Sequence, residues 1–102
     1  MNTSIYSVEE LKIMINDVLK NYSIKKAILF GSYAKNMQNE KSDIDLIIDS
    51  DGQLLNINFY SVLEDLVQRL NKKVDLFEIS EIKKDSPIYN KVLKEGIIIY
   101  ER

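Results

Sequence analysis

The sequence contains no cysteine and no histidine. The first absence removes disulfides, thiolate nucleophiles and thiolate zinc sites. The second removes the usual general base at neutral pH and the usual ligand of zinc and iron. Any metal on this chain must therefore be held by oxygen, which points to Mg²⁺ or Mn²⁺. A strong charge imbalance is also missing. The formal net charge is −2, so there is no broad electrostatic footprint for nucleic acid. The pairs Lys25-Lys26, Lys72-Lys73 and Lys83-Lys84 read as solvated ends of elements. Charges break every apolar run within a few residues, which argues against a membrane span or a signal peptide. The cytoplasm is the expected compartment.

What is there is an ordinary globular composition, 45% hydrophobic and 29% charged. A chain of 102 residues is expected to form one domain, residues 1–102, with a real core and no accessory domain. Residues 7–21 read as a helix. Ser7 and Glu10 form a capping box, and Leu11, Met14, Ile15, Val18, Leu19 and Tyr22 recur at helical spacing. Lys25 to Phe30 is a short, nearly all-apolar strand of the kind covered on both faces. Ser32 to Asn36 is expected to form a turn or more of helix, Met37 to Ser42 a loop, and Asp43 to Asp49 a second strand. Asp49-Ser50-Asp51-Gly52 is strong turn chemistry.

A second long helix is expected over residues 56–71, with Ile57, Tyr60, Leu63, Val67 and Leu70 on one stripe. Lys73 to Glu78 reads as a third strand and Ser80 to Lys84 as a helical turn. Ser86-Pro87 starts a helix that stops at Gly96, and Ile97 to Tyr100 is a final strand, expected at a sheet edge. The order of elements predicts an α/β fold, a small mixed β-sheet packed by α-helices.

The chemistry gathers around Gly31-Ser32, which ends the first strand, and Asp43-Ile44-Asp45, which opens the second ten residues later. Residues two apart on a strand project from one face, about 6.5–7 Å apart, so Asp43 and Asp45 point together. Two such carboxylates repel each other unless a cation lies between them. Asp75 interrupts an otherwise apolar strand, where an unpaired charge is costly. If the second and third strands are neighbours, Asp75 joins the other two, and such clusters hold Mg²⁺ ions in pairs. Gly31 lets backbone approach a phosphate closely, and Ser32 offers a hydroxyl and nearby N–H groups. Together these parts suggest metal-assisted transfer at a nucleoside triphosphate, with Asp75 taking the proton of the attacking hydroxyl.

These residues resemble the Gly-Ser-x10-Asp-x-Asp signature of the DNA polymerase beta-like nucleotidyltransferases, and within them the minimal nucleotidyltransferases (MNT). Val74-Asp75-Leu76-Phe77 and the ending Lys94 to Tyr100 are also similar to that family. The resemblance implies a nucleotidyltransferase fold. It places the nucleotide contacts on Gly31, Ser32 and Lys35, and the catalytic, metal-binding carboxylates on Asp43, Asp45 and Asp75. It also implies two Mg²⁺ ions and ATP as substrate. Many MNT proteins are antitoxins encoded beside HEPN-domain ribonuclease toxins. The implied function is an antitoxin of a type VII-like pair, a protein adenylyltransferase moving AMP from ATP to a tyrosine of its toxin. The implied partner is the cognate HEPN toxin, with no direct nucleic acid and no membrane, and with a homo- or hetero-oligomer to cover apolar faces. Two alternatives are a catalytically weak antitoxin that neutralises by binding alone, and nucleotidyl transfer to a small molecule or an RNA end. Relatives often read Gly-Ser-x-Ala-Arg-Gly, whereas this chain has Lys35-Asn36 at the end of that run. Lys35 keeps the charge without the bidentate fork, and Asn36 is able to take a left-handed conformation.

Overall fold

The chain enters its first helix, α1 (Val8–Leu19), through the capping box expected of Ser7 and Glu10. The Ser7 hydroxyl accepts from the Glu10 backbone N–H at 3.0 Å, and the Glu10 carboxylate accepts from the Ser7 N–H at 2.9 Å. In the computed structural model, which describes residues 5–51 and 57–102, four strands and two further helices follow. They are β1 (Lys26–Phe30), β2 (Ile44–Asp49), α2 (Ile57–Leu70), β3 (Val74–Glu78), α3 (Pro87–Glu95) and β4 (Ile97–Glu101), with a 3-10 turn, Ile79–Glu81, after β3. Gly52 and residue 56, expected in a turn and at a helix start, lie outside the described residues, as does the side chain of Ile57. No helix among the described residues is long and apolar enough to cross a membrane.

The strands form one mixed sheet in the order β3-β2-β1-β4, so β4 stands at an edge as expected. β1 pairs antiparallel with both β2 and β4, whereas β2 and β3 run parallel because α2 carries the chain back over one face. Alternation along the strands divides the apolar residues between two clusters. Ala27, Leu29, Ile44, Leu46, Ile48, Val74 and Leu76 pack with α1 and α2 in the larger one. Phe30, Ile47 and Val92, with Ile28, Phe77 and Ile88 around them, form a smaller cluster where α3 covers the other face. Phe30 and Phe77 meet there with ring centroids 6.0 Å apart.

One face of α2 differs from the expected stripe. Leu63 and Leu70 pack inward, but Tyr60 is 67% exposed and Val67 lies at the surface, while Val62 and Leu66 are fully buried. The reason is periodicity. Each three-residue step falls about 60° short of a full helical turn, so a stripe built mainly of such steps drifts off the core. Val62, Leu66 and Leu70, four apart, stay on it.

This arrangement predicts a sharp contrast in urea unfolding. Leu66→Ala is expected to destabilise the domain by about 3 kcal/mol, and Tyr60→Ala by less than about 1 kcal/mol. Equal losses would contradict the placement of the α2 core face.

Candidate active site

β1 stops at Phe30 because the next residue bends away: Gly31 has φ +75°, a left-handed conformation open to glycine at little cost. A side chain there would also run into the Asp45 carboxylate, since an added Cβ would lie against Oδ2 and 3.2 Å from Cγ. The glycine thus lets the turn lie directly against Asp45. Tyr33, fully buried in the main core, anchors the turn from below. The Lys35 N–H donates to the Gly31 carbonyl at 3.2 Å, and the Met37 N–H to the Ser32 carbonyl at 2.9 Å. Asn36 closes the turn at φ +58°, the left-handed conformation its side chain tolerates. Of the turn or more of helix expected here only a turn forms: the Lys35 to Gly31 bond spans four residues, and residues 31–36 make a run of turns. With left-handed residues at both ends, that turn does not propagate into a helix.

The parallel register sets Asp45 directly beside Asp75. Both lie one residue after strand starts, and both project toward the α3 face, like Ile47 and Phe77 two residues on. Ile44 points the other way, into the main core. Burial pushes the Asp45 carboxyl up to about 6. A hydrogen bond to Asp75 adds to this, followed by the negative charges of Asp75 and Asp43, while the Lys91 ammonium on α3 pulls the other way. Neither Lys72 nor Lys73 bonds to Asp75. The Lys72 ammonium donates to the Glu40 carbonyl at 3.0 Å, and Lys73 stands 3.6 Å from an Asp43 oxygen.

The site residues therefore fall into two groups. Gly31, Asp45 and Asp75 are in immediate contact or register, with Ser32 next in the turn. Asp43 sits at the same end of the sheet but is turned toward Lys73, and Lys35 reaches Glu95 at the end of α3, 3.3 Å away. Among the described residues, no group of three carboxylates already stands close enough to hold an ion. The donor set nevertheless fits Mg²⁺. All three candidates are oxygen ligands, Asp45 is held above the ordinary carboxylate range beside Asp75, and the partner of Asp43 is an exposed lysine that water can replace. Lys91 and Glu95 carry no local sequence signal, since only the packing of α3 against the sheet brings them here.

Comparison with known proteins agrees with the fold. Residues 14–102 match the family model described as "Polymerase beta, Nucleotidyltransferase". Among curated relatives are two proteins of Methanocaldococcus jannaschii assigned as protein adenylyltransferases. One is 33% identical, covering 90% of this chain and 96% of the relative. The other is 35% identical, covering 88% and 94%. Among solved structures, a toxin–antitoxin complex with AMP-PNP superposes with a TM-score of 0.77 at 24% identity, over 89% of this chain and 73% of the other. A tri-AMPylated Shewanella oneidensis HEPN toxin in complex with its MNT antitoxin gives a TM-score of 0.72 at 21% identity, over 93% and 73%. At these identities the structural likeness is one of fold.

The raised Asp45 pKa has a definite sign in stability. A carboxyl whose folded pKa lies above its unfolded value stabilises the fold below the unfolded pKa, near 4, and loses that contribution as pH rises through the folded pKa. Without divalent cations, the stability of the natural chain relative to Asp45→Asn should fall between pH 4 and about 6, then level off. Thermal melts across that range measure the difference. A flat or rising curve would contradict the buried pair.

Proposed function

We propose that this chain, which belongs to the polymerase beta nucleotidyltransferase family, is an antitoxin that silences a HEPN-domain toxin by transferring AMP from ATP to one of its tyrosines. The observation that carries this reading is Asp45 set in register beside Asp75, with the Gly31-Ser32 turn against it. Relatives assigned as protein adenylyltransferases support the reaction class. Structures of like fold, one with AMP-PNP and one with a tri-AMPylated HEPN toxin, support the nucleotide and the partner.

Each residue has a part in the chemistry. The bare backbone at Gly31 admits the triphosphate close to the sheet end, where Ser32 offers its hydroxyl and Lys35 adds positive charge to the turn. Asp43, Asp45 and Asp75 would hold Mg²⁺, two ions as in two-metal sites, and the bound metal would offset their charge and polarise the phosphates. Asp75, beside Asp45 on the third strand, takes the proton of the incoming tyrosine hydroxyl. The phenolic oxygen bonds to the α-phosphorus as the bond to pyrophosphate breaks, and pyrophosphate leaves. Such a transfer rests mostly on alignment and charge, which explains how a chain without histidine would catalyse it.

The test pairs this chain with the product of the neighbouring gene, labelled ATP and Mg²⁺. Label should appear on a tyrosine of the partner, and Asp75→Asn should slow its appearance by about 10²–10⁴-fold. Labelling that survives Asp43→Ala combined with Asp45→Ala would overturn the site. Neutralisation that survives the same change in cells would favour a binding antitoxin instead.

A further inference from the structure

We infer that Glu95 is a positioning residue for the nucleotide turn, acting through Lys35. The inference rests on the nucleotide reading above only for its binding readout. The Lys35 ammonium lies 3.3 Å from Glu95 Oε2, and both side chains are about one-third exposed. That oxygen is itself cut off from solvent and accepts no hydrogen bond, so the lysine is the charge that compensates it. Leaving such an oxygen alone carries its full desolvation cost, which distinguishes this pair from a loose surface contact.

Both ends of the contact are anchored in the core. On one side, Tyr33 is fully buried two residues before Lys35. On the other, Gly96 follows Glu95 and packs so tightly that an added Cβ would lie 2.5 Å from the Val92 carbonyl and 2.6 Å from Ile28 Cγ2. Ile28 belongs to β1, the strand that delivers Gly31. The end of α3 is thus fixed against the strand, and Glu95 ties it to the turn that follows. The turn needs the tie. Beyond the Tyr33 anchor it has no helical ladder, bends through left-handed residues at Gly31 and Asn36, and is held by a few backbone hydrogen bonds. Glu95 touches neither phosphate nor metal in this scheme. It sets the shape of the surface the phosphates meet, by fixing where Lys35 stands.

Amide hydrogen exchange without nucleotide tests the tie directly, because the Lys35, Asn36 and Met37 N–H groups all donate within the turn. Glu95→Gln should speed exchange at these three amides by about fivefold or more while leaving α1 and α2 unchanged. Lys35→Met should do the same. Reversing both charges, Lys35→Glu with Glu95→Lys, should return the rates toward those of the natural chain. Titration with ATP and Mg²⁺ should show affinity falling about threefold to tenfold in Glu95→Gln, whereas the reversal, which places a carboxylate in the turn itself, is read by exchange alone. Unchanged turn exchange in Glu95→Gln, acceleration spread equally over the helices, or no recovery of the turn's exchange rates on reversal would each overturn the role. If the natural chain binds no ATP, the proposed function fails, and the exchange rates still decide the case for Glu95.

Discussion

The parallel pairing of β2 with β3 is the constraint on which the rest of this molecule turns. It fixes Asp45 beside Asp75 with strand-level precision, which a loop does not supply. The same placement disfavours the charged form of Asp45, whose pKa is raised first by burial, then by the hydrogen bond to Asp75 and the nearby negative charges. Two carboxylates side by side at a half-buried sheet end work against the fold once both are ionised. They are tolerated because Ile44, Leu46, Ile48, Val74 and Leu76 of the same two strands are locked into the larger core. A site that is locally destabilising and globally over-determined fits a functional arrangement better than a structural one.

The two faces of the sheet divide the labour. α1 and α2 bury one face fully and supply most of the packing. α3 covers the other with a smaller cluster, and Asp45 and Asp75 look out on that side at the end of their strands. Gly31 joins the faces to the chemistry, since its left-handed bend and missing side chain let the turn lie on Asp45. Turn and carboxylates become one surface, which either would fail to make alone.

Much of this was legible in the sequence where the signal is local. Ser7 with Glu10 gave the start of α1, Gly31-Ser32 the bend, and Ser86-Pro87 with Gly96 the limits of α3. The apolar surroundings of Asp75 marked it as out of place, and the strand register then supplied its partner. The left-handed bend at Asn36 followed from its short amide side chain. Signals that depend on tertiary packing were not legible. The buried face of α2 turns on which residues keep step with the helix over four turns, and Tyr60 and Val67 do not. Lys73 pairing with Asp43, Lys72 reaching the Glu40 carbonyl, and Lys35 meeting Glu95 all join segments remote in sequence. Nothing in the local composition distinguishes these lysines from solvated ones.

The central claim is that the Asp45–Asp75 pair is held in mutual repulsion to receive a divalent cation with its nucleotide. Thermal unfolding of the natural chain and of Asp75→Asn at pH 7.5, with and without Mg²⁺ and ATP, tests it most directly. The account predicts a crossing. Without ligands the variant is the more stable of the two, because a repulsion has been removed. With Mg²⁺ and ATP the natural chain gains about 2.7 kcal/mol at a hundredfold excess over its dissociation constant and overtakes the variant, which gains far less. Equal ligand responses, or a natural chain already more stable without ligands, would contradict it.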